Sequence, residues 1–173
     1  VLIVAATEGE LALLEGAETL VCGIGPVEAA ARTAHAIAEH RPSAVLHVGV
    51  AGSRTLAPLT VVLGSESDYC DLSAAIPVVD RARPDPALLE RCRAALPDVA
   101  VVPIGTSAAV GGASHDVEAM EGFGVLRACE LAGVPAVELR VVANSPDESD
   151  REKWQIDEAL GVLADAVARI LEG

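Results

Sequence analysis

"SAVLHVGVAG", residues 43–52, holds a single titratable side chain, His47, in ten residues. A run this apolar and rich in valine, ending in Gly49, Ala51 and Gly52, reads as a β-strand covered on both faces. Such a strand needs packed layers above and below it. Five more runs have the same character: "VLIVAAT" (1–7), "TLVCGIG" (19–25), "LTVVLGSES" (59–67), "VAVVPIG" (99–105) and "PAVELRVVAN" (135–144). Between them lie helical stretches. "EGELALLEGAE" accommodates a turn of helix and a loop. "PVEAAARTAHAIAEHR" starts at Pro26, at a position where proline is favoured. "DPALLERCRAAL" is amphipathic, with Asp85 as its cap. A further helix is expected from about Glu118 to Leu131, ended by Gly133 and Pro135. The last begins near Trp154, with Ile156, Leu160, Leu163, Val167 and Ile170 on one face. Residues 68–85, punctuated by Pro77 and Pro84, read as irregular. Strands alternating with helices specify an α/β fold with a mostly parallel sheet, and residues 1–173 read as one domain.

Composition narrows the function. Of 173 residues, 51% are hydrophobic but only 2% aromatic, so Val, Leu, Ile and Ala must build the core. The net charge of −14, without a basic stripe, disfavours nucleic acid as a partner. No apolar run is long enough to span a bilayer. The chain opens directly into a strand pattern, and Cys22, Cys70, Cys92 and Cys129 are widely spaced. Both features suit buried thiols in a reducing cytoplasm. Neither a metal-ligand spacing nor a P-loop occurs, so no metal and no cofactor are expected.

In parallel sheets, ligands sit beyond the carboxyl ends of the strands. The ends here carry Glu8 and Glu10 after the first strand, the "GIGPVEAA" turn, Gly52, and Arg140 and Asn144 at the last. "GIGPVEAA" reads either as a tight strand-to-helix turn or as a ligand-contacting loop. His47 reads as a core histidine. "SHD" at 114–116 is not a relay, because a relay needs residues from separate segments. "AMEGFGVL" (119–126) holds Glu121 in an apolar run, where a carboxylate needs a partner. If these ends converge, they supply acids, a cation and an amide around one pocket. Cleavage through an oxocarbenium-like transition state uses such a set.

"IVAATEGE", "CGIGPVEAA", "HVGVAGS", "AMEGFGVLRACELAGVP" and "ELRVVANSPDESDREKWQIDEAL" occur in an order that resembles the purine nucleoside phosphorylase/nucleosidase family. The resemblance extends over nearly the whole chain. It is nearest to the branches that hydrolyse futalosine, a menaquinone precursor, and methylthioadenosine or S-adenosylhomocysteine. It implies a three-layer α/β/α sandwich around a mixed sheet, usually dimeric, acting on a purine nucleoside. Residue by residue, Glu10 matches the glutamate that activates water. Met120 and Glu121 match the pair that packs under the ribose and binds its 2′- and 3′-hydroxyls. Arg140 matches the arginine feeding the base pocket. Val50 and Gly52 fall on the strand end of the substrate site, Val50 where adenine-cleaving relatives carry a small or hydroxyl-bearing residue. Asn144 stands where those relatives carry a proton-donating aspartate, and an amide suits a 6-oxopurine instead. Loop 106–117 is short and lacks the aromatic residue expected against the base, which leaves open a second reading as a non-catalytic relative. Arg32 and Arg54 are the candidates for a phosphate site, which would make the chain a phosphorylase.

Overall fold

The computed structural model describes residues 1–14 and 16–173. Among the described residues, eight strands form one mixed sheet: β1 (Leu2–Ala5), β2 (Glu18–Val21), β3 (Val45–Ser53), β4 (Val61–Tyr69), β5 (Arg81–Ala82), β6 (Ala100–Thr106), β7 (Val117–Ala119) and β8 (Ala136–Asn144). The order runs β2-β1-β3-β7-β6-β4-β5, with β8 bridging β3 and β4. The strands β3, β8, β4, β6 and β7 therefore pair in a closed circuit. Pairings β1–β2, β1–β3, β3–β8, β4–β6 and β6–β7 are parallel, whereas β3–β7, β4–β5 and β4–β8 are antiparallel.

Two helical layers cover the sheet, and the pleat decides which residues meet each. Leu2, Val4 and Val45 point to α2 (Pro26–His40) and α4 (Gly122–Ala132), where they pack with Ala29, Ile37, Val125 and Leu126. Ile3, Leu46, Val48 and Leu139 point the other way, to α3 (Pro86–Ala95) and α5 (Ile156–Glu172). That is the expected three-layer sandwich. The α5 stripe read from the sequence packs on this second face, with Leu163 and Val167 fully buried. Asp85 caps α3 by accepting from Leu88 N–H at 2.8 Å, and Gly133 ends α4 in the left-handed conformation at φ 67°. The short helix α1 (Glu8–Leu11) fills the first connection. Among the described residues, no helix is long and apolar enough to cross a membrane.

Three expectations need correction. Residues 117–119 form β7, not the start of a helix, and α4 begins at Gly122. Backbone pairing to Gly52–Ser53 of β3 and Ile104–Thr106 of β6 overrides local helical preference there. The irregular stretch 68–85 contains β5, paired with Ser67 and Asp68. Finally, Cys22, Cys92 and Cys129 are buried free thiols, but Cys70 is only half-buried.

The approach of α4 to α2 depends on Gly124. A Cβ there would overlap the Pro26 carbonyl oxygen and stand 3.3 Å from Ala30 N. Backbone cannot move aside as a flexible side chain can. Gly124→Ala is therefore expected to destabilise the fold by about 1–2 kcal/mol, the overpacking cost outweighing the helix-propensity gain. The thermal midpoint should fall by about 3–6 °C, and an unchanged midpoint in a melting curve would refute the clash.

Candidate active site

The carboxyl ends of β1, β3 and β8 and the α4 N-terminus enclose a cavity of ≈290 Å³. This is near the lower end of ligand pockets, which run from roughly 300 to 1,000 Å³. Glu10, Val50, Gly52, Met120, Glu121 and Asn144 all face it. The sequence placed these residues on four separate segments, and the fold brings them together.

Glu10 arrives on α1, which is one turn long. Thr7 caps it, and the pair forms a reciprocal capping box. Glu10 Oε2 accepts from Thr7 N–H at 3.1 Å and from Thr7 Oγ1 at 3.0 Å. Its Oε1 accepts from Val50 N–H at 3.1 Å. An ionised carboxylate has about four acceptor positions. Three are occupied, and the fourth, on Oε1, is available to a water. Val50 contributes its backbone here, which explains how an apolar side chain is compatible with this place. A Cβ on Gly49 would overlap both Glu10 Oε1 and Arg140 Nη1. The glycine thus leaves room for both the acid and the guanidinium to converge on β3 at this point.

Glu121 precedes α4 and is 4% exposed. Its Oε1 accepts from Gly25 N–H at 3.0 Å, and its Oε2 lies 3.5 Å from Arg140 Nη2. Gly23 and Gly25 adopt φ of 83° and 92°, a backbone that turns the Gly25 amide toward this carboxylate. The Gly25 amide of the "GIGPVEAA" turn is thus directed at a protein carboxylate. Burial pushes the Glu121 carboxyl above its usual value, and Arg140 only partly opposes this. Each oxygen keeps one acceptor position, so two adjacent acceptors remain for a ligand. Two neighbouring hydroxyls match them.

Arg140 is placed differently from the expectation of substrate contact. It is 1% exposed and is not among the cavity walls. It stands behind Glu121 and reaches the site through it. In the β3–β8 register Arg140 pairs with Gly49, so its side chain lies on the inner face under α4. His47 is the satisfied core histidine anticipated. Its Nδ1 lies 3.0 Å from the Val4 carbonyl oxygen, and its Nε2 meets Arg140 Nη2. Burial and the adjacent guanidinium both hold its pKa well below the ordinary histidine value.

Two wall residues escaped the sequence reading. Glu118, 6% exposed, accepts from Gly111 N–H and lies 3.4 Å from Arg54 Nη2. It ties loop 107–116 to the sheet. No local signal marks it, because β7 is only three residues long and is held by pairing to β3 and β6. Trp154 supplies an aromatic wall from the α5 side, where loop 106–117 has none. Its indole N–H donates to the Glu148 carbonyl at 3.2 Å. "SHD" indeed divides: His115 Nε2 faces Asp68 at 2.7 Å, while Asp116 accepts from Ser53 and Thr55. Neither arginine considered for phosphate lines the cavity. Arg54 is bonded to the His115 and Ala113 carbonyls, and Arg32 pairs with Glu28 on the surface.

Two carboxylates and an amide thus line one pocket at parallel strand ends within this three-layer sheet. The chain belongs to the phosphorylase superfamily, whose sequence profile matches residues 19–172. It is 33% identical to the futalosine hydrolase of Streptomyces coelicolor over 187 aligned positions, covering 91% of this chain and 80% of that protein. A shorter match of 55 positions, 44% identical, relates it to the futalosine hydrolase of Thermus thermophilus, over 32% of this chain and 24% of that one. Among solved structures, the 5′-methylthioadenosine/S-adenosylhomocysteine nucleosidase of Neisseria meningitidis, in complex with methylthio-immucillin-A, superposes with a TM-score of 0.85 at 22% identity, covering 99% of this chain and 97% of that one. A futalosine hydrolase mutant of Helicobacter pylori superposes with a TM-score of 0.87 at 17% identity, with the same coverage. The family resemblance and the fold read from the residues are both borne out.

Proposed function

We propose that this chain is an N-ribosyl hydrolase that cleaves the N-ribosidic bond of a 6-oxopurine nucleoside of the futalosine type, serving menaquinone biosynthesis as a cytoplasmic homodimer. One observation carries the reading: Glu10, Glu121 and Asn144 face a single cavity of nucleoside size. Glu10 uses the last acceptor position of Oε1 to take a proton from the attacking water. Glu121 accepts from the 2′- and 3′-hydroxyls, and its charge lies close to the positive charge that develops on the ribose. Met120 packs under the sugar. Asn144 hydrogen-bonds the purine at N7 and O6 as it leaves. The commitments of Arg32 and Arg54 elsewhere favour water over phosphate as the nucleophile.

Chromatography of purified protein incubated with futalosine should show release of hypoxanthine. Absence of any free base from futalosine, inosine, methylthioadenosine and S-adenosylhomocysteine alike would overturn the reading. Substrate choice has its own test at Asn144. An acid in its place can protonate adenine at N7 but repels a 6-oxo group. Asn144→Asp is expected to move the ratio of kcat/KM values for methylthioadenosine and futalosine toward methylthioadenosine by about tenfold or more. Competition between the two substrates measures this ratio, and an unmoved ratio would remove Asn144 from base selection.

A further inference from the structure

Behind Glu121 runs a line of polar side chains that the hydrolytic scheme does not use. Ser67, His47 and Glu138 are fully buried at 0% exposure, and Arg140 at 1%. Such groups are costly inside an aliphatic core unless each is partnered. Here each is. Ser67 Oγ donates to Glu138 Oε2, and Arg140 Nε donates to Glu138 Oε1 at 2.9 Å. His47 Nδ1 faces a carbonyl oxygen, so it carries the ring proton and Nε2 accepts from Arg140 Nη2. The strand pleat puts His47, Glu138 and Arg140 on one face, with His47 opposite Glu138 in the β3–β8 register. The first residue of α4 is fitted to them, since a Cβ on Gly122 would overlap both Glu138 oxygens.

The guanidinium would ordinarily pair with a carboxylate through two parallel hydrogen bonds. Toward Glu121 it makes one contact of 3.5 Å. Its Nε edge is taken by Glu138 and its Nη2 is shared with His47. We infer that Glu138 is a positioning residue for the substrate site: it holds Arg140 back, so that Glu121 keeps acceptor positions for the ribose hydroxyls. The role assigned to Glu121 rests on the proposed function; the restraint on Arg140 does not. Without Glu138 the guanidinium turns its fork onto Glu121 and occupies those positions.

The groups facing Glu121 are Arg140, the Gly25 amide, Glu10, Glu138 and the Cys22 thiol. Removing the Glu138 charge and tightening the arginine both favour ionised Glu121. The test is a pair of measurements on Glu138→Gln. One is the pH profile of kcat/KM for futalosine. The other is a carbon-13 NMR titration of the Glu121 carboxyl, assigned by its loss in Glu121→Gln. We expect kcat/KM to fall at least tenfold, its acid limb to move to lower pH, and the Glu121 midpoint to move the same way. Loss of the Glu138 charge lowers limb and midpoint by itself, so the deciding variant is Glu138→Asp, which keeps the charge but shortens its reach. Its Glu121 midpoint should also fall below that of the wild type. A merely structural role would lower its melting temperature and leave its midpoint in place, and that result overturns the inference. Should the wild-type protein release no base, the proposed function fails, while the titration still decides whether Glu138 restrains Arg140.

Discussion

Glu121→Gln is expected to lower kcat/KM for futalosine by about 10³-fold or more while leaving the protein at least as stable as the wild type at neutral pH. A factor of 10³ corresponds to about 4 kcal/mol of transition-state stabilisation. Such a loss is of the size seen when one preorganised electrostatic group is removed from a buried site. The amide retains one oxygen for the Gly25 N–H but loses the charge and one of the two acceptors offered to the diol. Stability moves the other way, and the sign follows from the titration. Burial raises the folded-state pKa of Glu121 above its unfolded value near 4.5, even with Arg140 at hand. The folded protein therefore binds the proton more tightly. Below the unfolded pKa there is no penalty; the penalty grows as pH rises toward the folded value and persists above it. An amide carries no such penalty. Melting curves at pH 4 and pH 7.5 should show the variant gaining on the wild type as pH rises. Retained activity would remove Glu121 from the chemistry, and collapse at pH 7.5 would show that Arg140 needs it structurally.

Glu10→Gln is expected to reduce kcat by about 10³-fold with KM little changed, because general-base assistance contributes about 10²–10⁴ and is made in the transition state. The capping box tolerates glutamine at this position. The amide has one oxygen, however, for the N–H groups of Thr7 and Val50, which the two carboxylate oxygens now satisfy separately. One backbone donor is left facing an NH₂ group. That costs about 1 kcal/mol or somewhat more, a fall of about 2–4 °C in the midpoint. Single-turnover kinetics beside a melting curve separate the two effects. A kcat within a few-fold of wild type would show that some other group activates the water.

The sequence made the layers legible because strands buried on both faces leave a continuous apolar signature, and "SAVLHVGVAG" carries it with His47 as the lone interruption. It made Glu10 and Asn144 legible because each stands at or just beyond the end of such a run, and Glu121 because a carboxylate inside an apolar stretch needs a partner. What it concealed was non-local. β7 is held by pairing to β3 and β6, and three residues around Glu118 carry no local mark of that pairing. The position of Arg140 behind Glu121 depends on the β3–β8 register and on the pleat, whereas its place near a strand end and the family resemblance set it at the substrate. Glu138 was invisible for the same reason: its partners come from β4, the start of α4 and its own strand. Trp154 stood out as a rare residue, but its place in the cavity wall follows from how α5 docks.

The capping box at Thr7 and Glu10 bears on how other chains of this architecture should be compared. Under the proposed mechanism Glu10 has two employments, one in chemistry and one in starting α1, where it closes the capping box with Thr7. A descendant that abandoned turnover would still be selected to keep a glutamate or glutamine there, since the capping box needs a side-chain acceptor at this position. A glutamate at this position is therefore a marker of folding and a poor diagnostic of activity. Asn144, whose side chain makes one hydrogen bond among the described residues, to the neighbouring Ser145 carbonyl, has no comparable second task there. Under the role proposed for Asn144, the amide position is the one to inspect when hydrolases of this architecture are sorted by the base they release.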